Sequence, residues 1–345
     1  MQSLKRKRIS VTVCIAAIYN NNAILGASDR MLTGGYGDMT FEPPTPKILS
    51  ITNSIAVMTA GDQNIQMQVF QEAGKIVREK IKEDPSKWLN VSDVAEIYSK
   101  CFYELRKKLI EKRILSQFNL SFDSFISKQK DMSAGFVDMI TRNINRFDID
   151  YMRDRGVETI ITGIDDSGPH IYVVTNGDIS CNDKLGFASI GIGGNHAISH
   201  FMLSAYSRFD SESKALLTIH QAKKKSEASP GVGKETDMCV IGPPVGTFTM
   251  LLPIPNGKNI VKDLDRFYKA YTQGIDRLNK KAEDDIKDYL SHLSPPASSK
   301  QEASSSASVS PSASPSSSPS PSPSASSSEK TKKGAKGTAV KKVSK

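Results

Sequence analysis

Between Val11 and Gly61 the sequence sets out two apolar hairpins in tandem, and this stretch limits most what the chain can fold into. Val11 to Ile18 is an apolar β run, Asn20-Asn21-Asn22 is a turn, and Ala23 to Ala27 returns as the partner strand. That returning strand ends in Ala27-Ser28-Asp29. After a loop rich in Gly and Pro, Lys47 to Ile51 and Ser54 to Thr59 form a second hairpin across Thr52-Asn53, closing on Ala60-Gly61. Two such hairpins carry Asp29, Lys47 and Gly61 to neighbouring strand ends.

Helices follow. Asp62 is placed to cap one with Ile65, Val69, Ala73 and Ile76 on one face, and Asn90 or Ser92 a second with Val94, Ile97, Cys101, Leu105 and Leu109 on its stripe. Strands are expected at Glu158–Thr162, His170–Thr175, Phe187–Gly191, Met238–Ile241 and Thr247–Leu252. Helices are expected at Asn195–Tyr206, Ser211–Lys225 and from about Asn259, the last with Ile260, Leu264, Phe267, Tyr271, Ile275 and Leu278 on one face. From Ser294 the chain turns Ser/Pro/Ala-rich and then Lys-rich, a composition that buries too little apolar surface to offset the entropy of ordering. The expected organisation is a basic leader over 1–11, one domain over 12–293 and a disordered tail over 294–345.

The formal charge of +9 sits at the ends: Lys5-Arg6-Lys7-Arg8 carries +4, and the tail has eight lysines against two glutamates, leaving the body between them at −1. This distribution argues against nucleic acid as a partner except through the basic ends. The four cysteines, Cys14, Cys101, Cys181 and Cys239, include no Cys-x-x-Cys, which argues against a zinc site or a disulfide framework and fits a reducing compartment. Cys14 and Cys239 read as core residues. No run reaches the roughly 18 apolar residues of a membrane span, and the basic leader lacks the apolar stretch of a secretory signal. A soluble cytoplasmic protein with no membrane partner is expected.

In this order and spacing the chain resembles the proteasome β-subunit branch of the N-terminal nucleophile (Ntn) hydrolases. The motifs are the opening strand, Ala27-Ser28-Asp29, Lys47, and Ala60-Gly61 placed 14 residues after that lysine. Further matches are Gly163-Ile164-Asp165 with Gly168 to Tyr172, Phe187 to Gly194, and Thr236 to Ile241, so the likeness spans Thr12 to Leu252. It implies an α+β fold, the four-layer αββα sandwich, in which 114–155 is an insertion holding short helices around Phe122–Ile126 and Phe136–Ile149. It also implies peptide or unfolded-protein substrates and homo-oligomers of the ring type.

The chemistry that the resemblance implies rests on Thr12, Asp29, Lys47, Gly61 and Ser229. A threonine hydroxyl needs a base to take its proton, and an N-terminal threonine supplies one in its own α-amine. Lys47 would hold that amine neutral by like-charge repulsion, Asp29 would fix Lys47, and the Gly61 N–H would receive the oxyanion, a contact that can be worth about 3 kcal/mol. Singly, each residue has an ordinary role: Asp29 in a turn, Lys47 at a solvated strand start, Gly61 at a helix entry, Thr12 in a strand. Jointly and in order, they favour a site.

The chain also departs from the family pattern. Thr12 is internal and follows Ser10-Val11 without the usual glycine, and it makes the first hairpin one residue longer than usual, where Ser10 would make it three. Ile192 replaces a serine and Ser226 an aspartate of the family; Glu227 supplies the acid only if the turn shifts by one residue, while Ser229 matches. The expectation is a threonine-type endopeptidase without cofactor or metal. The alternative is a non-catalytic subunit with a structural or interaction role, and a weaker third is a protein that binds nucleic acid through its basic ends. Gly191-Ile192-Gly193-Gly194 fits a tight strand-to-helix turn better than a phosphate cradle. His196 and His200 have a metal-ligand spacing without the glutamate of a zinc protease, and Lys223-Lys224-Lys225 reads as a solvated, dipole-favoured helix end.

Overall fold

The structure, a computed structural model, describes residues 12–34, 39–44, 46–85, 88–149, 157–242, 246–251 and 259–293. The expected leader and tail, 1–11 and 294–345, lie outside them. The chain divides into two units, Met1–Asp284 and Asp285–Lys345. Of the second unit only 285–293, the end of a helix, is described.

The first unit is a mixed α/β fold with two five-stranded antiparallel sheets. In chain order the strands are β1 (Cys14–Tyr19), β2 (Ala23–Asp29), β3 (Leu32–Gly34), β4 (Met39–Phe41), β5 (Ile48–Ser50), β6 (Ile55–Gly61), β7 (Val157–Asp165), β8 (Gly168–Thr175), β9 (Asp178–Cys181), β10 (Phe187–Ile190), β11 (Thr236–Gly242) and β12 (Thr247–Met250). The first sheet runs β10-β1-β2-β11-β12, the second β5-β6-β7-β8-β9, and β3 pairs with β4 as a separate ribbon. The helices are α1 (Gln63–Glu83), α2 (Val91–Ile110), α3 (Phe122–Ser127), α4 (Ala134–Phe147), α5 (Gly194–Leu203), α6 (Glu212–Ser226) and α7 (Ile260–Leu293).

Alternation along β1 shows how the layers form. Cys14, Ala16 and Ile18 point into an apolar layer shared with Met58, Ile160 and Ile171 of the second sheet. Val13, Ile15, Ala17 and Tyr19 point the other way, onto Ala197, Phe201, Ala215 and Ile219 of α5 and α6. A strand with period 2 and apolar residues on both faces is thus buried twice over. On the far side, Ile55, Val57 and Ile161 pack against Ile65, Val69, Val94 and Tyr98 of α1 and α2. Gly26 keeps the sheets close, since a Cβ there would lie 2.3 Å from Met58 Cε and 2.6 Å from Cys239 Sγ.

Local chemistry sets the connections. Asn20 and Asn21 take left-handed φ of 49° and 56° at the centre of the turn that the Asn22 N–H closes onto the Tyr19 carbonyl at 3.2 Å, within the three-residue connection from β1 to β2. Asp62 caps α1 by accepting from the Asn64 and Ile65 N–H groups. Asn90 precedes α2 without capping it by its side chain; Asp165 Oδ2 accepts from the Val91 N–H at 2.9 Å instead. The 114–155 region continues α2 through a π-helical turn at Glu111–Leu115, and Phe125, Ile140 and Phe147 pack beneath it in the outer apolar layer. Arg106 of α2 pairs with Asp148 at the end of α4.

Three expectations change. The Gly- and Pro-rich loop contains the β3–β4 ribbon, and β9 adds an edge strand, neither of which hydropathy marks. The expected apolar face of α7 is buried only at its start: Leu264 is 7 % exposed, whereas Phe267 is 53 % and Leu278 68 % exposed. Length explains this, because the 25 residues of α7 within the first unit extend about 38 Å, against about 23 Å for its seven-residue strands.

Candidate active site

Register brings the expected residues to one end of both sheets. In the first sheet Cys14 pairs with Ser28 and with Ile190, and Thr236 with Asp29, so Thr12, Asp29, Gly191 and Thr236 close the same edge. In the second, Gly61 pairs with Val157 and Ala60 with Glu158. Two contacts join these ends: the Gly191 N–H donates to Glu158 Oε2 at 2.7 Å, and Cys14 Sγ to the Thr59 carbonyl at 3.5 Å.

Thr12, Asp29 and Lys47 are in direct contact. The Thr12 hydroxyl donates to Asp29 Oδ1 at 2.6 Å, and Lys47 Nζ donates to the same hydroxyl oxygen. Lys47 Nζ also donates to Asp29 Oδ1 at 2.8 Å and to the Met31 carbonyl at 2.6 Å, so three acceptors surround an ammonium that has three N–H bonds. Asp29 is fully buried and accepts further from the N–H groups of Val13 at 3.0 Å, Met31 at 3.1 Å and Gly233 at 2.9 Å. A buried ion pair is tolerable only when its remaining valences are filled in this way. The centre sits beside the Cys14 thiol, which burial pushes up to about 12 against the pull of Lys47 in the other direction.

The main chain around Thr12 is held as tightly. Its carbonyl accepts from the Gly193 N–H at 3.3 Å, and a Cβ on Gly191, whose φ is 85°, would stand 2.4 Å from that carbonyl oxygen. Gly191 to Gly194 is therefore a tight turn packed against Thr12. Its Gly191 and Gly193 N–H groups are already engaged by Glu158 and Thr12, which leaves neither for a phosphate.

Gly61 and Ser229 do not touch the Thr12, Asp29 or Lys47 side chains among the described contacts. Gly61 ends β6 with φ of 119°, a backbone conformation glycine tolerates. Ser229 Oγ donates to the Ile192 carbonyl at 3.4 Å, inside the turn that holds Thr12. Glu227 does not join them; it pairs with Lys223 at 2.6 Å and Lys224 at 3.3 Å. The expected solvated lysine run is thereby corrected: Lys223 is 0 % exposed, Lys224 bridges Glu227 and Asp265, and only Lys225 is exposed.

Two further contributors are marked in the sequence only by their position. Lys223 lies four residues after Ile219 on the buried stripe of α6 and four before the partly exposed Glu227 at the helix end, a helical pair whose lysine is in the core. Gly231-Val232-Gly233, between the expected helix ending at Lys225 and the strand starting at Met238, supplies a backbone donor to Asp29.

Other polar groupings are weaker. Ser167 Oγ lies 2.7 Å from His170 Nε2, and His170 Nδ1 lies 2.7 Å from Asp183 Oδ2, at triad distances. Yet the Ser167 hydroxyl also donates to Asp165 Oδ1 at 2.7 Å, and His170 Nε2 is 3.1 Å from that oxygen. Lodged between two carboxylates, the imidazole serves as a clasp between the β7–β8 turn and the segment after β9. His200 Nε2 contacts Gln221 Oε1 at 3.1 Å, and among the described residues no three His, Cys, Asp or Glu side chains are grouped to hold a metal. No helix among them is long and apolar enough to cross a membrane. No family model matches the chain, and no curated protein matches it.

Proposed function

We propose that the chain is a threonine-type peptide hydrolase of the proteasome-like Ntn kind, built as a four-layer αββα sandwich, with Thr12 as nucleophile once the residues before it are removed. The observation that carries this reading is the Thr12 hydroxyl bonded to both Asp29 and Lys47 inside a buried centre. Such a contact with an ammonium stabilises oxygen as it becomes anionic, and it places positive charge close to a nucleophile. With Thr12 at the chain start, its α-amine takes the hydroxyl proton as Oγ1 attacks the substrate carbonyl. The leaving amine then receives that proton, and water releases the acyl group from Oγ1. Gly61 is the proposed oxyanion donor, and rings of like subunits are the proposed assembly.

A second reading is favoured by one specific observation. Thr12 is 2 % exposed, and in this sequence its nitrogen is an amide joined to Val11, which cannot act as the base. On that reading the protein is a non-catalytic scaffold of the same fold. Fluorogenic-peptide hydrolysis together with intact mass separates the two: the first requires turnover by chains beginning at Thr12, the second an unprocessed chain without turnover.

A further inference from the structure

Asp29 is held by five donors, and four of them are close in sequence or belong to the centre itself: Thr12, Val13, Met31 and Lys47. The fifth, the Gly233 N–H at 2.9 Å from Oδ2, comes from 204 residues away. Glycine has the widest backbone freedom of any residue, so a glycine donor is useful to a buried carboxylate only if something else fixes its backbone. A side chain at residue 233 would require Glu42 to move, because a Cβ there would lie 2.0 Å from Glu42 Oε1 and 3.0 Å from Met31 Cβ.

Lys223 supplies the fixing. Its ammonium donates to the Gly233 carbonyl at 2.9 Å, the Lys234 carbonyl at 2.8 Å and Glu227 Oε1 at 2.6 Å, so all three N–H bonds are used and the side chain is fully buried. Burial pulls the ammonium below the ordinary lysine range, while the Glu227 carboxylate pulls it back up. Two charge pairs thus meet at Gly233: its N–H serves the Asp29–Lys47 pair and its carbonyl the Lys223–Glu227 pair.

We infer that Lys223 is a positioning residue for the Thr12 centre, anchored by Glu227 and acting through residue 233 on Asp29. The inference rests on the threonine-hydrolase reading for its catalytic consequence, but its structural half stands apart from it. Lys223 touches neither Thr12 nor Lys47 among the described contacts, so its effect should fall on the rate of the chemical step rather than on substrate affinity.

The test uses the full chain and Lys223→Met, which keeps length and removes the donors. Three quantities are read: amide exchange of Gly233 by NMR, kcat and KM for a fluorogenic peptide, and the melting temperature. The expected result is at least tenfold faster exchange at Gly233 and at least tenfold lower kcat, with KM within twofold of wild type. Should Lys223→Met not fold, Glu227→Gln, which keeps a hydrogen-bonding oxygen and removes the anion, is expected to give the same changes at smaller amplitude. Unchanged Gly233 exchange in the variant that folds overturns the inference, as does unchanged kcat beside an active wild type. If wild type has no turnover while Gly233 exchange responds as stated, the hydrolase reading fails and the positioning of Asp29 by Lys223 stands.

Discussion

Lys47 Nζ lies 2.8 Å from Asp29 Oδ1 and donates to the hydroxyl oxygen that Asp29 also binds, so one threonine oxygen is shared between a buried cation and a buried anion. Removing either charge leaves the other without its partner. Lys47→Met should abolish peptide turnover and cost about 3 kcal/mol of stability, while cooperative unfolding persists because Asp29 keeps four other donors. Denaturant unfolding beside the peptidase assay checks this; retained turnover would remove Lys47 from the chemistry.

Gly191 is expected to be as intolerant as a core residue. Gly191→Ala meets the Thr12 carbonyl oxygen at 2.4 Å from a backbone with φ of 85°, and should cost about 2–4 kcal/mol and displace Thr12. Gly168→Ala, at φ of 120° with no atom within 4 Å, is the control for strain alone. Labelling of Thr12 by a threonine-reactive electrophile should fall in the first variant and persist in the second.

The hairpins and their order are legible in the sequence because each signal is local: a continuous apolar run, a turn of asparagines, a charged residue at a strand end. The grouping of Thr12, Asp29 and Lys47 is expected only through the family resemblance, and the three side chains are in contact in the structure. What hydropathy missed depends on contacts distant in sequence. Lys223 looks like surface because charge outweighs position in any composition-based reading, yet it fills the stripe that begins at Ala215 and Ile219. The cap of α2 comes from Asp165, 74 residues beyond Val91, where no local pattern could place it. The β3–β4 ribbon is too short for alternation to stand out.

Asp165 gives a prediction with a definite sign. Burial pushes its carboxyl up, but the Val91 N–H, Ser167 and the nearby His170 outweigh it, and the net position is below the ordinary carboxyl value. A lowered carboxyl contributes stability that is present above its unfolded value of about 3.9 and lost as pH falls through the folded value. Asp165→Asn should therefore destabilise by about 1–2 kcal/mol at pH 7, and the difference from wild type should be smaller at pH 3. Melting curves at both pH values decide; an equal difference at each would mean that the charge is immaterial.

Thiol reactivity should separate one cysteine from three. Cys181 is exposed, whereas Cys14, Cys101 and Cys239 are buried and burial pushes Cys14 and Cys239 up to about 12. A native-state titration with a chromogenic disulfide should consume one thiol quickly and the other three only on unfolding. Fast reaction of Cys14 or Cys239 would show that the layer between the sheets opens readily.

The hydrolase reading stands or falls on Thr12 as a nucleophile whose own amine is its base. What decides it is the intact mass and peptide map of a chain beginning Met-Thr12, from which the host removes the methionine, after exposure to a threonine-reactive inhibitor. The expected outcome is one adduct per chain, located on Thr12, and none on the Lys47→Met or Thr12→Ala chains. A chain with a free Thr12 amine that stays unmodified and inert toward peptides would refute the reading and leave the scaffold in its place.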